Sequence, residues 1–128
     1  MAASAYQPNE PARRPGGRPS EGPKWRVLVH RHYAQQYSEM ISRVGIAAAQ
    51  ELWDYLANDP DKPPRTGSAT ILKGSAGKPK GPGWSRVVHY DLSSKARVNF
   101  HYAAKFRTTS DGDEHPVVAI LSINYGSH

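Results

Sequence analysis

The sequence predicts an α+β fold in which two helices pack on one face of a mainly antiparallel sheet of four to five strands. From residue 24 onwards, the period-two alternation of β-strands occurs at both ends of the chain, and helical spacing of apolar residues is confined to the stretch between them. Short, turn-rich connections join the last strands, as in antiparallel hairpins. Helices grouped before a run of strands are typical of two-layer domains, so the predicted order is β-α-α-β-β-β-β.

A change of period separates the first strand from the helices. Residues 24–31 alternate in the manner of a half-buried strand. From His32, apolar residues recur three and four apart in two stripes interrupted at Gly45, namely Tyr33, Tyr37, Met40, Ile41 and Val44, then Ala49, Leu52, Trp53 and Leu56. The turn-rich run 58–61 ends the second helix, so the two helices are expected to form an αα-hairpin.

Four further strands are predicted at 69–74, 84–92, 96–102 and 117–125, with a flexible loop at 74–83. Alternation in the second of these strands predicts one face shared by Trp84, Arg86, Val88 and Tyr90. In the third it predicts a row on the face away from the helices, formed by Arg97, Asn99 and His101. The last strand is apolar on both faces as far as Ser122, which is typical of a central strand.

One small domain is all that 128 residues can form. Residues 1–23 are rich in Pro, Gly, Ala and Ser, so we expect a disordered tail in front of a domain at 24–128. The chain has no cysteine, which excludes disulfides and thiol chemistry and suits a reducing compartment. It has neither a signal-like apolar run at its N-terminus nor about 18 consecutive apolar residues, so the expected location is the cytoplasm, with no membrane partner.

Positive charge is concentrated in residues 65–107. This segment holds nine Lys or Arg against one acid, Asp91, whereas the whole chain carries a net charge of +6. The rest of the chain is therefore slightly negative, and a positive field confined to one region predicts a polyanion such as nucleic acid as the partner. The RNA-binding candidates in this segment include Lys78, Lys80, Lys95, Lys105 and Arg107.

Several short motifs occur in a characteristic order. They are LKG at 72–74, a glycine-containing loop, Trp84-Ser85-Arg86, ARVNFHY at 96–102 and the terminal run NYGSH at 124–128. In this order, and with these elements, residues 24–128 resemble the RelE/ParE superfamily of toxins from toxin-antitoxin modules, in the branch that cleaves messenger RNA.

The resemblance implies a metal-free RNA-cleaving site on the open face of the sheet. Matched position by position, Lys73 and Arg86 would contact phosphates, Arg97 would lie next to the scissile phosphate, and Tyr125 and His128 would correspond to the C-terminal catalytic group. The implied partners are messenger RNA on the ribosome and a small antitoxin. Charge complementarity predicts that the antitoxin is acidic where it covers the basic face, and partly disordered before it binds.

Cleavage of RNA without a metal or other cofactor needs groups that move protons and groups that neutralise the phosphate. Histidine suits the first task and arginine the second. The assignment is Arg97 and Arg86 as the phosphate clamp and His128 as the leading acid or base. His89 or His101 would be the second proton-transfer group, and Tyr125 would stack on a base or act as an acid.

Two other function classes remain open at this point. One is a toxin of the same fold that poisons DNA gyrase, which needs no proton-transfer groups, and the other is a noncatalytic RNA-binding domain. A strand histidine is often a surface or hydrogen-bonded structural residue, so His89 and His101 have a structural interpretation beside the catalytic one. The histidines do not pair with carboxylates at metal-ligand spacing, so no metal site is predicted.

Overall fold

The computed structural model describes residues 9–17, 24–62, 68–72, 74–81, 83–92, 96–106 and 114–125. Its strands are β1 (Asn9–Pro11), β2 (Arg26–His30), β3 (Ser68–Ile71), β4 (Val88–Leu92), β5 (Ala96–Phe106) and β6 (His115–Tyr125). Its helices are α1 (Ala34–Val44) and α2 (Ile46–Asn58), with short 3-10 turns at Arg31–Tyr33 and Gly74–Gly77. The α+β class and the two helices are confirmed.

The strands form one mixed sheet in the order β1-β2-β6-β5-β4-β3. Strand β2 is parallel to β6, and every other neighbouring pair is antiparallel. Six strands lie within the described residues, so the expected number of four to five is wrong, and β1 comes from the segment predicted to be a tail. As predicted, β6 is central, and its residues Val117, Val118, Ala119 and Ile120 are all 0% exposed.

Both helices cover the same face of the sheet. They are separated at Gly45, whose φ of 92° is one that residues other than glycine rarely adopt. The apolar stripes of α1 and α2 meet the sheet in one core, in which Met40, Leu56 and Phe100 are 0% exposed. Neither helix of the described part of the chain has the length and apolar character needed to span a bilayer.

Residues 9–17 are held against the helices, so the expected disordered tail is wrong for this segment. Strand β1 pairs with β2, and the Arg14 guanidinium binds both carboxylate oxygens of Asp54 at 2.8 and 3.0 Å. The indole N–H of Trp53 donates to the Ala12 carbonyl at 2.7 Å, and the Tyr37 hydroxyl donates to the Arg13 carbonyl at 2.8 Å. Composition misses these contacts because the polar groups that bind the segment, on Tyr37, Trp53 and Asp54, belong to the helices. Residues 1–8 and 18–23 lie outside the described residues.

Removal of residues 1–17 should lower the melting temperature. The truncation deletes β1 and leaves the buried indole N–H of Trp53 without its acceptor. A buried donor without a partner lowers the free energy of unfolding by about 1–3 kcal/mol. Thermal unfolding followed by circular dichroism measures the effect. A second truncation, of residues 1–8, keeps these contacts, so the difference between the two proteins isolates the contribution of 9–17. Equal melting temperatures would contradict the prediction.

Candidate nucleic-acid interface

Polar residues line up across four strands on the face of the sheet opposite the helices. The strand register places residues of one row opposite each other, namely Thr70, His89, Asn99 and Ser122. The next row contains Asp91, Arg97 and Asn124. Directly opposed residues share a face of the sheet, with Cβ atoms about 4.5–5.5 Å apart. These rows therefore form a polar surface, which we call the open face.

Four side chains in the middle of the open face form one connected network. Asp91 Oδ1 lies 3.1 Å from Arg97 Nε and 3.2 Å from His89 Nε2, so one carboxylate oxygen contacts both partners. The other ring nitrogen of His89, Nδ1, lies 2.8 Å from Asn99 Oδ1. We call His89, Asp91, Arg97 and Asn99 the His89 cluster. The Arg97 side chain is 47% exposed, so a ligand can reach the guanidinium of the cluster.

Strand register explains why these four residues meet. Leu92 pairs with Ala96, so the connection between β4 and β5 is three residues long. Pairing then continues down the hairpin and sets Asp91 opposite Arg97 and His89 opposite Asn99. Alternation along 84–92 puts Asp91 on the same face as His89, but the sequence does not predict Asp91 as a site residue. Its spacing of two from His89, together with the short connection, was the signal that could have placed it in the site.

His101 also belongs to this face, but it is covered rather than accessible. It is 5% exposed, and its imidazole stacks on the indole of Trp84 with ring centroids 3.8 Å apart and planes 9° from parallel. Burial, and to a lesser degree the charge of Lys80, lowers the pKa of His101 to about 4. Its Nδ1 is buried without a hydrogen-bond partner among the described residues. His101 therefore lies on the predicted face but is covered by Trp84, and at neutral pH the ring is uncharged and cannot donate a proton as an acid.

Trp84 covers His101 because the alternation predicted for 84–92 begins only at Val88. Val87 and Val88 are both buried, which breaks the period of two. Trp84 packs instead with Phe106 over a small apolar cluster on the side of the sheet away from the helices, formed by Leu28, Ala103, Val117 and Ala119. The prediction that Trp84 shares a face with Val88 and Tyr90 is wrong, because those two residues lie in the core under the helices.

Arg86 braces the turn before β4 and does not join the His89 cluster. Its guanidinium donates to the Leu72 carbonyl at 2.8 and 3.2 Å and to the Gly74 carbonyl at 3.0 Å. The Val87 amide donates to the Gly77 carbonyl at 3.0 Å. A Cβ atom at Gly77 would overlap the Leu72 carbonyl oxygen, so this close approach requires glycine. The part of the predicted flexible loop at 74–77 is therefore an ordered turn.

The remaining predicted site residues make no recorded contact with the His89 cluster or lie outside the described residues. Lys78, Lys80 and Lys105 are exposed. Tyr125 pairs with Ala96, and the residue opposite Arg97 is Asn124, so the register does not set Tyr125 beside Arg97. Outside the described residues lie Lys73, Lys95, Arg107 and His128. Within the described ranges, no group of three or more His, Cys, Asp or Glu is arranged to hold a metal ion.

Comparison of the chain with protein-family models, with curated proteins and with solved structures finds no match.

Acid should destabilise the protein partly through His101. The folded protein holds the pKa of this imidazole near 4, whereas the unfolded chain binds the proton below about pH 6.5. The free energy of unfolding is therefore unaffected by this group above pH 6.5. As the pH falls from 6.5 towards 4, it decreases by up to about 3 kcal/mol, because only the unfolded chain binds the proton.

Melting temperatures of the wild type and of His101→Phe at pH 7 and pH 4.5 measure this contribution. Phenylalanine keeps an aromatic ring under Trp84 but does not titrate, so the variant should lose less stability between the two pH values. An equal decrease in both proteins would show that His101 is not the acid-sensitive group, because they share every other titrating side chain.

Proposed function

We propose that this protein is a metal-independent endoribonuclease whose reactive centre is the His89 cluster. The observation that carries the proposal is the contact of one carboxylate, Asp91, with both an imidazole and a half-exposed guanidinium on an open sheet face. This face belongs to the most basic segment of the chain, in which nine cationic residues accompany the single acid. A polyanion is the ligand that such a surface attracts.

Arg97 is the group best suited to hold the scissile phosphate. A guanidinium offers a planar fork of donors that matches two phosphate oxygens, and Arg97 is exposed enough to present it. As the ribose 2′-oxygen attacks phosphorus, negative charge builds on the phosphoryl oxygens. A preorganised cation stabilises that charge, and removal of one such donor commonly costs about 10²- to 10³-fold in rate.

His89 is the group best suited to remove the proton from the 2′-hydroxyl. Asp91 orients its ring and stabilises the imidazolium that forms, as carboxylates do for catalytic histidines. Both ring nitrogens face protein oxygens, so one contact must open before the ring can accept a proton. We assign this exchange to Asn99, because the contact with Asp91 is the one that stabilises the charged ring.

The reaction is a transesterification that needs no external nucleophile. The 2′-oxygen forms a bond to phosphorus, the bond to the 5′-oxygen breaks, and the products are a 2′,3′-cyclic phosphate and a free 5′-hydroxyl. The proton removed from the 2′-hydroxyl passes to His89, and the leaving oxygen takes a proton from an acid. His128 is our proposal for that acid, on the strength of the resemblance of the terminal run NYGSH.

A noncatalytic RNA-binding domain is the second candidate. The observation that favours it is that both ring nitrogens of His89 already contact oxygens of the protein, while His101 is buried and uncharged at neutral pH. In this alternative the cluster is a rigid support that positions Arg97, and the face binds phosphates without proton transfer.

The biological role that we propose is that of a toxin from a toxin-antitoxin module. It would cleave messenger RNA, on the ribosome, and stop translation. Its partner would be a small acidic antitoxin that covers the basic face. This part of the proposal rests on the motifs that resemble the RelE/ParE superfamily, together with the concentration of charge in residues 65–107.

A cleavage assay in excess chelator distinguishes the enzyme from the binding domain. The wild type should cut an end-labelled single-stranded RNA and leave a cyclic phosphate, whereas His89→Gln and Arg97→Ala should be slower by about 10²- to 10³-fold. Matched controls are His32→Gln and Arg43→Ala, which alter exposed residues outside the cluster. RNA binding without cleavage by the wild type would select the second candidate, and full activity in both cluster variants would remove the assignment.

Expression in bacteria tests the toxin role separately. The wild type should arrest growth, and Arg97→Ala and His128→Ala should relieve the arrest because each removes a group assigned to the reaction, while Arg43→Ala should not. Growth arrest and circular dichroism of the purified variants are the two measurements. RNA cleavage in vitro with unaffected growth would exclude the toxin role while leaving the nuclease.

A further inference from the structure

The indole of Trp84 lies flat on the imidazole of His101, although Trp84 belongs to a segment that connects two strands. It stacks in parallel on His101, with centroids 3.8 Å apart, and covers this imidazole with one of its own faces. Trp84 is only half-buried, so it is not enclosed like a core residue. An aromatic ring that rests on the protein with one face and is partly open to solvent is a surface on which another flat ring can stack.

Neighbouring contacts hold Trp84 in this position. Its own amide donates to the Gly81 carbonyl at 3.3 Å, and the Ser85 amide donates to the Tyr102 carbonyl at 2.8 Å. In return, the Tyr102 amide donates to the Ser85 hydroxyl at 3.0 Å. Phe106 flanks the indole, with centroids 5.8 Å apart and planes at 54°. A ring that is already positioned loses little conformational freedom when a ligand stacks on it.

One cation lies near this stack, and a second lies further along the same strand. Lys80 is exposed, and its charge contributes to lowering the pKa of His101, which places it near the stack. Arg97 is on the same strand and the same face as His101, four residues away, or about 13 Å along β5. The combination of an aromatic platform with basic side chains along the backbone path is how proteins hold unpaired nucleic acid.

We propose that Trp84 is a stacking site for an unpaired nucleobase of the RNA whose phosphates contact Arg97 and Lys80, and that it makes the protein selective for single strands. The inference rests on the proposed binding of RNA at the open face. Bases of a duplex are stacked on each other and offer no free face, whereas an unpaired base can leave its neighbours and lie on the indole. Trp84 therefore determines which form of RNA is accepted, while the His89 cluster acts on the phosphate.

A non-cleavable probe tests this site independently of catalysis. The probe is a short 2′-O-methyl oligoribonucleotide carrying 2-aminopurine, in a single-stranded form and in a hairpin form with the labelled base paired. Stacking on an indole quenches the fluorescence of 2-aminopurine, so the wild type should lower the fluorescence of the single strand and leave that of the hairpin, whose labelled base is already stacked, unchanged. Binding of the single strand without quenching, or no binding of it, would overturn the proposal.

Substitution of the ring supplies the second measurement. Trp84→Leu keeps apolar cover over the sheet but removes the stacking surface, so the affinity for the single strand should fall about 5- to 150-fold while the affinity for the hairpin stays unchanged. Trp25→Leu is the matched control, because Trp25 packs against the core under the helices, and it should change neither affinity. Equal losses for both probes in Trp84→Leu, or no loss for either, would contradict the proposal.

Two further outcomes separate this inference from the proposed nuclease. If Trp84→Leu does not fold, Trp84→Phe keeps an aromatic ring on His101 and should bind the single strand with intermediate affinity, and an unchanged affinity would count against stacking. Quenching of the probe by a protein that does not cleave RNA would support the stacking site and reject the nuclease. Cleavage that is insensitive to Trp84→Leu and equally fast on paired RNA would do the reverse.

Discussion

The register of the β4–β5 hairpin is the constraint on which both faces of the sheet depend. Pairing of Leu92 with Ala96 sets every later pair, so that apolar residues of both strands point towards the helices while the His89 cluster points the other way. Because side chains alternate with a period of two, a slip by one residue would bury the charges and expose the core. The free energy that buries this core therefore also holds the polar network in place.

The face away from the helices is divided into an apolar and a polar part. Near the β2–β6 pair, Trp84 and Phe106 cover a small cluster of apolar residues, and His101 lies in this apolar part. Further along β5, the side chains are Asn99 and Arg97, and no comparable cover lies over them in the described chain. One strand thus carries an uncharged, stacked imidazole and an exposed guanidinium four residues apart. The two ends of a linear ligand lying along this strand would therefore meet different chemistry.

Much of this arrangement could be predicted from period alone. The two helices, their separation at Gly45 and the central position of β6 follow from local spacing, and all three are confirmed. Local spacing could not predict β1, because the groups that hold residues 9–17 are contributed by helix residues such as Trp53 and Asp54, about 40 positions away in sequence. Alternation also failed at Trp84, where hydrogen bonds of Ser85 with Tyr102 set the path of the chain.

The two histidines of the open face show how far alternation can predict a site. It assigns His101 to the side of the sheet away from the helices but leaves open which set of the neighbouring strand shares that side, and the structure has both His89 and His101 there. Alternation does not predict whether a ring is buried by another segment of the chain, as His101 is by Trp84. Trp84 dehydrates His101 and lowers its pKa, whereas His89 lies between Asp91 and Asn99 in the open part of the face. Identical residue types on one face therefore have different chemistry: His101 is covered and uncharged at neutral pH, whereas His89 belongs to a network that includes the exposed guanidinium of Arg97.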